Sequence, residues 1–148
     1  MVIAQRDRTM AAVSVMLDVA FHAGRKQVVC GAEIAERLGL PRRGMEPLLQ
    51  ALSRTGLLDS ARGPHGGYRL ARPARDISVA DIVEAVGADE PRALLSGRLH
   101  AVVVETLWGE LDDAAGEVLR ALTLEDLLRR AARAGLRRPV AEPITFAI

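Results

Sequence analysis

The chain has 148 residues, 49% of them hydrophobic, which suits one compact domain, or a small domain with an oligomerisation element, and argues against disorder. A net charge of +1 implies no polyanionic partner by itself, and a single cysteine, Cys30, excludes an intrachain disulfide and a cysteine-rich metal site. The distribution of charge is more telling. Residues 1–75 carry 12 basic and 6 acidic side chains, whereas residues 76–148 carry 8 and 13. One half is therefore suited to a polyanion and the other to something else. Every basic residue except Lys26 is arginine, whose planar fork of donors fits phosphate and guanine. A GC-rich genome would inflate arginine throughout, but would not cluster it.

Near the N-terminus, Arg6 and Arg8 precede an apolar run from Met10 to Phe21. Asp18 interrupts that run, and no small-residue cleavage site follows, so it reads as a helix rather than a secretory leader. Val13, Met16, Leu17, Ala20 and Phe21 keep helical spacing and predict a first helix near 8–23, ending at Gly24. An extended piece, Gln27–Cys30, leads to a second helix at Gly31–Leu38, stopped by Gly39 and Pro41. Cys30 is expected to be a small buried thiol near that helix start. A third helix spans about Arg43 to Thr55, with Met45, Leu48, Leu49 and Leu52 on one apolar face. Pro47 is expected at or just beyond its first turn, and Gly56 as its left-handed cap. A strand at Leu57–Ala61, a turn at Arg62–Gly67 and a returning strand at Tyr68–Ala71 follow.

Two more helix starts carry a hydroxyl cap with an acid three residues on: Ser78 with Asp81, and Thr123 with Asp126. Between them lie a Pro- and Gly-punctuated link, Gly87–Gly97, and a long helix from about Arg98 to Arg120. Val103, Leu107, Leu111, Ala114 and Val118 form a stripe along it. Its four large aliphatics, Val103, Leu107, Leu111 and Val118, are the candidate dimer interface, because a small wing domain cannot readily cover that length. The tail ends in Thr145-Phe146-Ala147-Ile148, which could pair as a strand or fray. No stretch approaches the roughly 20 apolar residues of a membrane span, so a cytoplasmic protein without membrane contact is expected.

The candidate chemistry lies between residues 40 and 75, where seven arginines face two acids, Glu46 and Asp59. Arg42, Arg43, Glu46, Gln50 and Arg54 line the third helix away from its apolar stripe. Arginine can bond both acceptors of guanine, glutamine two positions of adenine, and glutamate the amino group of cytosine. For an isolated helix the plainer reading is a solvated face of mixed charge. A basic hairpin directly after the helix favours double-stranded DNA as the partner, with the helix in the major groove and the hairpin as a wing. In that wing Arg62, His65 and Arg69 would reach phosphates or the minor groove, and Gly66 and Gly67 would let the backbone approach. A hairpin also needs glycines simply to turn. Catalysis is not expected: His22, His65 and His100 are scattered, paired-cysteine, HExxH and GxSxG motifs are absent, and Asp112-Asp113 read as solvated surface.

The segments IAERLGLP (Ile34–Pro41), GLLDSARGPHGGYRLAR (Gly56–Arg72) and ISVADIVEAV (Ile77–Val86) resemble the iron–sulfur cluster regulator family, the IscR- and NsrR-like winged-helix transcription factors. The similarity covers roughly residues 8–130 and is strongest over 31–86. It implies a mainly α (α+β) fold: a winged helix-turn-helix with a two-stranded wing and a long C-terminal dimerisation helix. It also implies a homodimer whose Glu46, Gln50 and wing residues contact DNA. Sensing members of that family carry three cysteines in the link before the dimer helix, but Gly87–His100 has none. One thiolate cannot hold a cluster that takes about four protein ligands, so no cofactor and no metal are expected. His100 near the end of the link is not a cluster site alone.

The expected organisation is a DNA-binding domain over 1–86, a link over 87–97, and a dimerisation helix, short helix and tail over 98–148. The expected function is a dimeric, sequence-specific transcription regulator, a repressor, answering to an unknown small-molecule or protein effector or to none. The alternative is a winged-helix protein-interaction module that has lost DNA binding. The basic bias of residues 42–75 favours the first, because a protein-docking surface does not need so many phosphate-compatible charges.

Overall fold

The computed structural model describes residues 6–23, 27–87 and 94–139. In chain order the elements are α1 (Arg6–His22), α2 (Gly31–Leu38), α3 (Arg42–Arg54), β1 (Leu58–Ala61), β2 (Gly67–Leu70), α4 (Val79–Gly87), α5 (Glu105–Ala121) and α6 (Leu124–Arg133). The arrangement is a winged helix-turn-helix followed by a long helix, mainly helical with one small antiparallel sheet. Helix α1 packs against α2, α3, β2, α4 and α6. Its deepest residues are Ala12, Val15, Met16, Val19 and Ala20, while Val13 and Leu17 are only partly buried. Spacing alone placed the stripe one residue too far round, because a helix covered on several sides has no single apolar face.

That burial includes a charge. The Asp18 side chain is 7% exposed and accepts two hydrogen bonds from Arg37 of α2, Nε at 2.9 Å and Nη2 at 2.8 Å. The pair is bidentate and joins α1 to the first helix of the helix-turn-helix. Hydrogen bonding to Asp18, ahead of other influences, holds the Arg37 guanidinium above its ordinary pKa. His22 Nδ1 lies 3.4 Å from the same carboxylate.

The turn after α2 closes on Gly39 with φ +64, and the one after α3 on Gly56 with φ +76, both left-handed conformations in which a Cβ is strained. Helix α3 starts at Arg42, so Pro47 is its sixth residue and lies just beyond the first turn, where its nitrogen already falls within the hydrogen-bonding ladder. It has no N–H for the carbonyl of Arg43, and proline inside a helix costs about 3 kcal/mol relative to alanine. Burial of Met45, Leu48, Leu49 and Leu52 offsets that cost. In the wing, Leu58 pairs with Leu70, Asp59 with Arg69, Ser60 with Tyr68 and Ala61 with Gly67. The extended piece before α2 adds a further bridge: Val29 and Tyr68 exchange both backbone hydrogen bonds at 2.8 Å. Cys30, next in the chain, is exposed rather than buried and makes no capping bond to α2; neighbours in an extended piece take opposite sides, and Val29 takes the buried one.

Both expected capping boxes are complete. Ser78 Oγ accepts from Asp81 N–H at 3.0 Å, and Asp81 Oδ2 accepts from Ser78 N–H at 3.0 Å. Thr123 and Asp126 repeat this at 3.1 and 2.9 Å. The two boxes lie side by side, since Val79 N–H donates to Leu122 O at 2.8 Å and Leu124 N–H to Ile77 O at 2.9 Å. Leu124 enters the same core as α1, so α6 returns to the winged-helix unit.

The long helix runs through a wide π-type turn at His100–Val104 into α5. Its half-buried side carries Trp108, Asp112, Ala115 and Leu119, and it packs on α4. Val103, Leu107, Leu111, Ala114 and Val118 are exposed. Asp113 is exposed as expected of surface, but Asp112 is half-buried, and its Oδ1 has no hydrogen-bond partner among the described residues. The difference follows from the roughly 100° step between neighbouring helical residues, which turns Asp112 inward. Beyond α6, Arg138 Nη2 donates to the carbonyl of Ala20 at 2.9 Å. The final segment Thr145–Ile148 and part of the Gly87–Gly97 link lie outside the described residues.

Two measurements check this scheme. Ser78→Ala and Thr123→Ala should each destabilise by about 1 kcal/mol, and the double variant should depart from additivity because the boxes share a bridge; additive losses in urea titrations would show the caps to be independent. Asp126 is held below the ordinary carboxylate pKa chiefly by the Thr123 N–H. A depressed folded pKa adds stability above the unfolded value near 3.9 and loses it as pH falls further, so the deficit of Asp126→Ala, which removes the titrating carboxylate, should shrink in acid below about pH 4. In the α1–α2 pair, Arg37→Ala should cost about 3 kcal/mol and more than Asp18→Ala, because it strands the buried partner. The reverse order in thermal melts would reject that assignment.

Candidate nucleic-acid interface

Helix α3 buries Met45, Leu48, Leu49, Ala51 and Leu52 and turns its other side to solvent. Arg42, Arg43, Glu46, Gln50 and Arg54 are all exposed. Arg43, Gln50 and Arg54 fall opposite the apolar stripe, since residues 43, 50 and 54 recur at the spacing of one helical face. The structure thus brings the five predicted helix residues onto one solvent-facing surface. Pro47 lies on that surface too and is exposed, a position that sequence reading treated only as a matter of helix geometry. The signal that could have marked it was its i+4 relation to Arg43 and i−3 relation to Gln50.

The wing follows after Gly56 and Leu57, with β1 in contact with α3. Arg62, Pro64 and His65 form an exposed tip, and Arg69 is exposed on β2. Arg69 stands opposite Asp59 across the hairpin, which tempers the positive charge of that face. Arg72 lies 3.5 Å from Asp81, tying the return of the wing to the start of α4. The turn glycines are required by packing. A Cβ on Gly66 would collide with the carbonyl of Ala61, and one on Gly67 with the carbonyl of Val29. Gly63 has φ +113, also outside the range that suits an L side chain. Close backbone packing therefore accounts for Gly66 and Gly67 as parts of the hairpin whatever the wing touches.

Leu107, Leu111 and Val118 belong to a different surface, on α5, and Val103 to the π-type turn that leads into it. A cluster site for iron does not fit the residues present: Cys30 precedes α2, the cysteine-free link holds no thiolate, and His100 Nε2 faces Glu105 at 3.6 Å. Among the described residues, no three His, Cys, Asp or Glu side chains converge as metal ligands. No helix among them is long and apolar enough to cross a membrane.

Comparison with known proteins matches this arrangement over most of its length. The Rrf2 family, described as "Iron-dependent Transcriptional regulator", matches residues 6–130. Protein rrf2 of Nitratidesulfovibrio vulgaris is 36% identical over 131 residues, covering 84% of this chain and 86% of its own. The HTH-type transcriptional regulator IscR of Vibrio atlanticus is 37% identical over 123 residues, covering 80% of this chain and 70% of its own. Among solved structures, T. potens IscR superposes with a TM-score of 0.70 at 33% identity, covering 95% of this chain and 93% of that one. CymR of B. subtilis, titled a global cysteine regulator, gives 0.65 at 29% identity, covering 83% and 94%. With the helix-turn-helix, wing and long helix all inside the matched region, the chain belongs to the Rrf2 family of DNA-binding transcriptional regulators.

Proposed function

We propose that this protein is a homodimeric, sequence-specific transcription regulator that binds double-stranded DNA through α3 and the wing and represses by occupying its operator. The observation that carries this reading is the solvent-facing surface of α3, where Arg42, Arg43, Glu46, Gln50 and Arg54 stand exposed over a fully buried apolar stripe. Glu46 and Gln50 have the chemistry to read base edges. Arg62, His65 and Arg69, with the backbone at Gly66 and Gly67, have the chemistry to follow phosphates. The division of labour is a DNA-binding part over 1–86, a link over 87–97 and a part over 98–148 whose long helix dimerises while α6 packs back on the winged-helix core. The protein works in the cytoplasm, is not an enzyme, and carries no iron–sulfur cluster, because its one thiolate cannot supply the ligands that a cluster needs. Its signal is a small molecule or a partner protein, if it has one.

Dimerisation is supported by α5. Val103, Leu107, Leu111 and Val118 are 54%, 46%, 36% and 60% exposed on one long helix, an apolar surface that a second copy would cover. Two-fold symmetry would then set two copies of α3 about one DNA turn apart, roughly 34 Å.

Binding should weaken steeply and linearly in log affinity against log salt as phosphate counterions are released. Gln50→Ala should lose about 1–3 kcal/mol at particular operator positions, whereas Arg62→Ala should weaken all duplexes alike. Fluorescence anisotropy with operator and random duplexes separates the two; equal losses on both would move recognition elsewhere. Leu111→Asp should give monomers with most operator affinity lost. Sedimentation of a monomeric wild type that still binds its operator would reject the dimer.

A further inference from the structure

Pro47 is the feature of the candidate interface that the reading above leaves unused. It is exposed in the second turn of α3, so its ring contributes nothing to the core while its missing N–H weakens the helix. A substitution to alanine would relieve that weakness without loss of packing. The position also adjoins the predicted contacts: Arg43 precedes it by one turn, Gln50 follows by three residues and Arg54 by seven, so these three side chains share its side of α3. Among these polar groups it is a rigid apolar surface with no donor and no charge. Nearby, Gly44 is exposed, and a Cβ added there would meet only Pro41, 3.7 Å from its Cγ.

We propose that Pro47 is a specificity-determining residue that selects thymine, its ring resting against the C5-methyl group in the major groove. The methyl group is the one apolar mark that a base pair shows in that groove, and apolar side chains are what read it. A ring fixed on the backbone meets it without losing rotamer freedom, which distinguishes proline from a leucine or methionine at the same place. This inference rests on α3 being the recognition helix.

The test begins with selection of bound duplexes from a random pool by the full-length protein. Each thymine of the selected sequence is then replaced singly by deoxyuridine, which keeps base pairing and removes only the methyl group. Wild type should lose affinity about fourfold at one thymine per half-site, the worth of one buried methyl group, and little at the flanking thymines. Pro47→Ala should melt at or above the wild-type temperature and show a smaller thymine-to-uracil ratio there. Pro47→Gln should abolish the ratio and redirect selection at that position. If wild type discriminates at no thymine, or if Pro47→Gln keeps the same operator and the same ratio, the proposal is overturned although DNA binding stands. If no duplex is selected at all, the recognition-helix reading falls and the proposal with it.

Discussion

The carboxylate of Asp18 sets the terms for the half of the molecule that holds α3 and the wing. Helix α1 is buried against five other elements, so a charge in its wall must find a partner. The partner is Arg37 of α2, held by two parallel hydrogen bonds. Because the bond is bidentate, it fixes direction as well as distance, and α2 cannot roll along α1 without breaking it. The short α2 then positions α3 through Gly39 and Pro41, and α3 positions the wing through Gly56. A pair that buries a charge is a weak source of net stability but a strong constraint on geometry, and geometry is what a helix presented to a groove requires.

The other half is constrained by its caps. The Ser78 and Thr123 boxes satisfy the first N–H groups of α4 and α6, and the bridge between them places both helix starts together. Residues far apart in the chain are thereby locked at one point, with Leu124 driven into the core beside α1. Helix α5 spans the interval and can only dock one side on α4. Its apolar residues are thus divided. Trp108 and Leu119 face the protein, and Leu107, Leu111 and Val118 face outward.

Most of this was legible in the sequence wherever local chemistry decides. The boundaries of α2 and α3, the hairpin, and both capping boxes follow from glycines, prolines, hydroxyls and apolar spacing that act within a few residues. What was not legible depends on distant partners. No local signal says that Gln27–Cys30 will lend Val29 to Tyr68, that Asp18 will meet Arg37, or that Cys30 will be left outside. The inner face of α5 was hidden for a related reason: two apolar stripes on one helix give a periodicity that does not say which stripe the chain itself will cover. For the candidate site, residue type and spacing place the α3 side chains on one face, whereas Pro47 reads locally as a helix breaker and only the packing of the other elements leaves it as a surface.

The arrangement of charge explains how a chain of net charge +1 can be suited to a polyanion. The field of the molecule is not its net charge but its distribution. The arginines cluster at α3 and the wing, while Glu105, Glu110, Asp113 and Glu117 are exposed along α5. A phosphate backbone is attracted by the first group and repelled by the second. Leu107, Leu111 and Val118 stand exposed on the same helix as those acids, so the apolar stripe of α5 lies on a surface that disfavours a polyanion but not an uncharged partner. Segregating charge in this way lets one small fold carry two surfaces of opposite preference without either competing for the other's partner.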